Sequence, residues 1–181
     1  MYSKDQASQL KQAFWTAFGK YIAPQLSSDG LKINWINYKT GIKHLYFKMH
    51  ADQKNAFIAI EIANPDLEIQ ELIFEQFKAY QKIFSETIIS TLIKSNENAY
   101  DSLITNKNQL LTNDNLQEEW EWQLHIQDEH YKTVSRIIKY LPDVSIFKQE
   151  DRPALISFLK PRMIALDEFW SDAQYSFDSF K

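Results

Sequence analysis

Hydrophobic and polar positions alternate most regularly over residues 31–62, LKINWINYKTGIKHLYFKMHADQKNAFIAIEI. A period of two is that of a half-buried strand, and the two interruptions predict three strands joined by two short turns. A turn over residues 52–55 pairs Met49 with Ile58, Phe47 with Ile60 and Leu45 with Ile62, which gathers the large aliphatics on one face. At YKTGI two turns are open. A two-residue turn pairs Ile36 with Leu45 and leaves Ile33 and Trp35 on the polar face; a three-residue loop with Gly41 in the left-handed region pairs Trp35 with Leu45 and Ile33 with Phe47. The second is preferred, because a one-residue slip exposes two large apolar side chains whose burial is worth about 1.5–3 kcal/mol each. It predicts a buried Trp35 and an exposed His44.

Elsewhere the period is mostly helical. Leu10, Phe14, Ala17, Phe18, Tyr21 and Ile22 predict an amphipathic helix over residues 3–22, opened by Ser3 and Gln6 as a capping box and ended by Pro24 and SSDG. Asp66 after Pro65 is an N-cap for a second helix that carries Leu67, Leu72, Phe74, Phe77, Tyr80, Ile83 and Phe84 toward Ile93. The Asn-rich stretch over 95–117 loses periodicity and is expected to be a loop or mobile segment. EEWEWQLHI then alternates as a strand, with Trp120, Trp122, Leu124 and Ile126 on one side. Tyr131, Val134, Ile137, Ile138 and Leu141 suggest a helix and VSIF a short strand. A long last helix starts at Glu150, with Pro153 in its first turn and Pro161 expected to kink or split it. No internal repeat and no low-complexity tail is read from the sequence.

These elements predict an α+β fold: an antiparallel β-meander of about four or five strands with helices packed on one face, the terminal helices lying together over it. At 181 residues the chain is expected to be a single domain, 1–181, large enough to bury a core without a staple. The absence of Cys excludes disulfides, thiol nucleophiles and Cys-ligated zinc. MYSKDQASQLKQ lacks the basic start and unbroken apolar run of a secretory leader, and no window has the apolar length of a membrane span, so a cytoplasmic setting away from membranes is expected.

Three stretches, FWTAFGKYIAP, INWINYKTGIKHLYFKM and FLKPRMIALDEFW, resemble the bacterial family of domain of unknown function 4268 over nearly the whole chain. LDEFW is the most specific of them. The resemblance implies a bacterial source and carries no catalytic residues over; it also implies kinship with domains that accompany nuclease-like modules in longer chains.

The chemistry to be tested sits on the polar face of the 31–62 segment. Lys32, Asn34, Lys43, His44, Tyr46 and Lys48 are the candidate ligand-binding residues, and Glu61, His50 and Lys48 the candidate catalytic ones. In the register above Glu61 faces Tyr46, with His44 and Lys48 on the diagonals, so a carboxylate has an imidazole, an amine and a phenol within reach for acid–base work. The plainer alternative is a solvated sheet face with cross-strand ion pairs. A metal-dependent nuclease needs converging carboxylates and a positioning Lys, yet Glu61 is followed by Ile62 and Ala63 rather than by a Glu-x-Lys arrangement. His44 and His50 share a face but stand about 20 Å apart along a strand, and no HExxH, GxxxxGK[ST], GxGxxG or GxSxG occurs. Neither a metal nor a cofactor is expected.

Over residues 31–54 Lys32, Lys39, Lys43, Lys48 and Lys54 stand against Asp52 alone, and such lysines with Asn34, Tyr38 and Tyr46 could grip phosphates and stack on bases. A net charge of −4 and a pI near 5.6 argue against that partner. Two functions are therefore carried forward: a non-enzymatic binding or accessory module, with a protein or a second copy of the chain as partner, and a nucleic-acid-processing protein using the polar face.

Overall fold

The computed structural model describes the backbone of residues 1–102 and 118–181 and the side chains of 1–96 and 118–181. The fold is α+β. Four antiparallel strands, β1 (Leu45–Ala51), β2 (Asn55–Ile62), β3 (Glu121–Gln127) and β4 (Thr133–Pro142), run in the order β1-β2-β4-β3. The helices α1 (Lys4–Ile22), α2 (Leu67–Ala79), α3 (Gln81–Ser102) and α4 (Arg152–Ala173) accompany them. The core forms between the sheet and these helices, from Leu45, Phe47, Ile58, Ile60, Ile62 and Ile137 on the strands and from Phe14, Phe77, Phe84, Leu166 and Trp170 on the helices.

The strand order is that of two hairpins set back to back rather than a simple meander. β2 and β4 pair antiparallel at the centre, and β1 and β3 flank them. A helix precedes and follows each hairpin, so α1-β1-β2-α2 and α3-β3-β4-α4 share one order of elements. α2 crosses to lie over β3 and β4, and α4 over β1 and β2. Even the turns agree. Asp52 Oδ1 accepts from the amides of Lys54 and Asn55 at 2.7 and 3.0 Å, and Asp128 Oδ1 from those of His130 and Lys132, both at 2.8 Å.

The second predicted hairpin is present in the predicted register: Leu45 lies opposite Ile62, Phe47 opposite Ile60 and Met49 opposite Ile58. The first is not. Residues 31–44 form no strand, because their polar side chains take up backbone groups that a ladder would need. Asn34 Oδ1 accepts from the amides of Ile36 and Asn37, both at 3.1 Å, and turns the chain. Trp35 is buried as expected, but by folding inward and donating its indole N–H to the Gln25 carbonyl at 2.9 Å. Gly41 does adopt the left-handed conformation (φ 80°); His44 adopts it too (φ 64°) and is half-buried rather than exposed.

The capping box of α1 and the Asp66 cap of α2 form as predicted. The helix expected from Asp66 to Ile93 breaks at Tyr80 (φ −100°, ψ 10°), whose hydroxyl lies 2.6 Å from Ser176 Oγ. Of the loop expected over 95–117, α3 occupies the beginning through Ser102, and 103–117 lie outside the described residues. Residues 133–142 are a strand, not a helix. β4 is central and its Val134, Ile137 and Ile138 are buried on both faces, so its apolar run has no clear period of two. VSIF is not a strand either, although Val144 and Ile146 donate their amides to the Lys54 and Asp52 carbonyls, at 3.2 and 2.8 Å, and so brace the β1–β2 turn. α4 runs through Pro161 unbroken. Within the sheet, β3 shifts register between Gln123 and Ile126, with His125 in the left-handed region (φ 49°); this bulge sends Trp122 to the core face and Ile126 to the other. Among the described residues no helix is long and apolar enough to cross a membrane.

Candidate functional site

Among the described residues no helix covers the outer face of the sheet, and here the structure collects part of the predicted site. Glu61 and Arg136 are opposite one another on β2 and β4, and both are buried. Arg136 donates to Glu61 Oε2 from Nε at 2.8 Å and from Nη2 at 2.7 Å. Lys48 Nζ stands 3.5 Å from the same oxygen and donates to Glu129 Oε1 at 3.0 Å, while Arg136 Nη2 reaches Glu129 Oε2 at 3.2 Å. Two cations and two carboxylates thus form a closed ring.

Each charge in it is held by the others. Glu129, favoured first by its own backbone N–H and then by Lys48 and Arg136, is lowered to about 2. Burial works against the Arg136 charge, but Glu61 and then Glu129 outweigh it and hold the guanidinium above its ordinary range. Arg136 also lies over the Phe57 ring, 5.5 Å from its centroid.

His50 is not part of this ring. It stacks on Phe57 with centroids 4.9 Å apart and turns its Nε2 toward Asp52 Oδ2 at 3.5 Å. Tyr46 lies opposite Glu61 but is exposed, as is Lys43. Lys32 and Asn34 belong to the irregular 31–44 segment and are not on the sheet. The sequence reading missed Arg136 and Glu129, since assigning 131–141 to a helix removed the strand that carries Arg136 to Glu61.

A second site lies where that segment meets α4. Asp167, buried in the helix, accepts from the Ser28 amide and hydroxyl through Oδ2 at 2.7 and 2.8 Å, and from the Tyr38 hydroxyl through Oδ1 at 2.7 Å. One turn on, Trp170 donates its indole N–H to the Thr40 carbonyl at 2.9 Å. These bonds pin the segment across the sheet edge and leave between it and α4 a cleft of about 350 Å³, lined among others by Asp29, Leu31, Ile33, Tyr38, Asp167 and Trp170. Burial, and then Asp167, push the Tyr38 hydroxyl far above its usual range, so it is a fixed proton donor. Asp29 accepts from the Ser171 hydroxyl at 3.0 Å and closes the rim.

The family model described as domain of unknown function (DUF4268) matches twice, over residues 10–94 and 90–174. The chain belongs to the DUF4268 family. Each match contains one hairpin of this DUF4268 chain, and the second contains Asp167 and Trp170 of LDEFW. No curated protein and no solved structure matches it. Among its described residues no three His, Asp or Glu side chains are placed to hold a metal ion together.

Proposed function

We propose that this protein is a non-enzymatic binding module of the cytoplasm, and that its recognition site is the cleft between the 27–39 segment and α4. The observation that carries this reading is how the polar groups are spent. On the outer face, where Lys48, His50 and Glu61 were the catalytic candidates, the carboxylate is consumed by Arg136 and Lys48 and His50 is directed elsewhere. In the cleft the phenol is held protonated and Asp167 is saturated with donors, an arrangement that holds a ligand rather than activating a nucleophile. A concave site with an apolar wall and a few fixed polar groups is the usual form of a small-ligand pocket, whose lower size limit is about 300 Å³.

The test is a fragment library titrated into the full chain and followed by amide and indole NMR. Shifts should gather at Ser28, Tyr38, Trp170 and Ser171. Fragments that instead perturb Lys48 and Glu61, or that are turned over, would transfer the site to the outer face and favour the nucleic-acid-processing alternative.

A further inference from the structure

Resting on that reading of the cleft, the charges around it specify what it takes. Among the described residues Asp167 has no counter-ion: its three partners there are an amide, a serine hydroxyl and a phenol, all neutral. Asp29 at the rim is bonded only by the Ser171 hydroxyl, through Oδ1, and its other oxygen has no partner among the described residues. Neither carboxylate takes part in a salt bridge among the described residues. Both act on the Tyr38 hydroxyl, so both fields converge in the cleft. In a cavity of reduced dielectric the field of two carboxylates favours a cation.

Apolar side chains line the same cleft. Ile33 is half-buried, and Leu31 is 61% exposed although it lines the cavity. We propose that the cleft binds an organic cation, an ammonium or guanidinium head carried on an apolar stem, with the head bonded to Asp29 within the field of Asp167 and the stem along Leu31 and Ile33. A bare metal ion does not suit two carboxylates of which one is already saturated. An anion would meet the exposed Lys39 as the one cationic side chain lining the cleft, against two negative charges.

Four probes test this on the full chain by NMR. They are agmatine, the blocked peptide acetyl-Gly-Arg-Gly-amide, its citrulline analogue of the same shape without charge, and the corresponding glutamate peptide. The cationic probes should shift the Trp170 indole and the Ser28 and Tyr38 amides at millimolar concentration, and the citrulline and glutamate peptides should not. Agmatine binding without the peptide identifies a free small cation; binding of the arginine peptide identifies a side chain presented by a polypeptide. Asp29→Asn, a surface change that should leave the denaturation midpoint unmoved, should weaken the cation by about tenfold, the scale of one charge-assisted hydrogen bond. Unchanged affinity in that variant, or equal binding of the citrulline peptide, overturns the cation. If the glutamate peptide binds best in the cleft, the cation falls while the binding-module reading stands. If no probe perturbs the cleft and the fragment library finds nothing there either, both fall.

Discussion

Tyr38 and Glu129 carry opposite pH signatures. Tyr38 has its pKa raised by burial and Asp167. Its contribution is therefore complete below the ordinary tyrosine value, and is lost as the pH climbs from about 10 toward the folded value, because the unfolded chain ionises first. Tyr38→Phe removes the hydrogen bond to Asp167 and should cost about 1–3 kcal/mol at neutral pH, and it should flatten this alkaline limb in urea denaturation followed against pH. Glu129 is the reverse case: lowered from 4.5 to about 2, it stabilises above the first value and loses that contribution as the pH falls toward the second.

The Glu61–Arg136 pair is buried on both sides. Arg136→Ala should cost about 3–5 kcal/mol, since it leaves a buried carboxylate with Lys48 alone, whereas the double change Glu61→Leu with Arg136→Met should recover most of the loss. Equal losses for the single and double variants would show that the pair is not the unit of stability.

Among the elements, those whose signals are local were legible. The capping box at Ser3, the Asp66 cap and the 52–55 turn each rest on a side chain bonding to its own neighbourhood, and all three form. Elements decided by neighbours were not. Residues 31–44 alternate like a strand, but Asn34 and Trp35 bond locally or to Gln25; β4 lies between β2 and β3 and buries Val134 and Ile138 on one face and Ile137 on the other, which no periodicity can convey.

The same distinction explains the two sites. Lys48 near Glu61 follows from strand register, while Arg136, Glu129 and Asp167 arrive from 60 or more residues away. The ring partners of Trp170 are Phe47, Phe77 and Phe177, with centroids 5.8, 6.0 and 5.1 Å away. Buried at that junction, Trp170→Ala should cost about 3–5 kcal/mol in chemical denaturation and release the 31–44 segment, which faster amide exchange there would register.

For the whole molecule the question is which surface meets the outside. The outer sheet face keeps its ion ring neutral, since Lys48 and Arg136 balance Glu61 and Glu129, and the chain as a whole carries −4. It should therefore bind single- or double-stranded oligonucleotides no more tightly than about 10⁻⁴ M at physiological salt. Tight binding that weakens steeply as salt rises, and that disappears in the Lys43→Glu, Lys48→Glu variant, would restore the nucleic-acid reading.

The measurement that bears most directly on the account is a set of crystals of the full chain soaked with a mixture of small amines, amides and carboxylates. Difference density in the cleft between Asp29, Leu31 and Asp167, from the amines, is the predicted result. Density confined to the sheet face around Lys48, Phe57 and Tyr140, with the cleft holding only solvent, would contradict it.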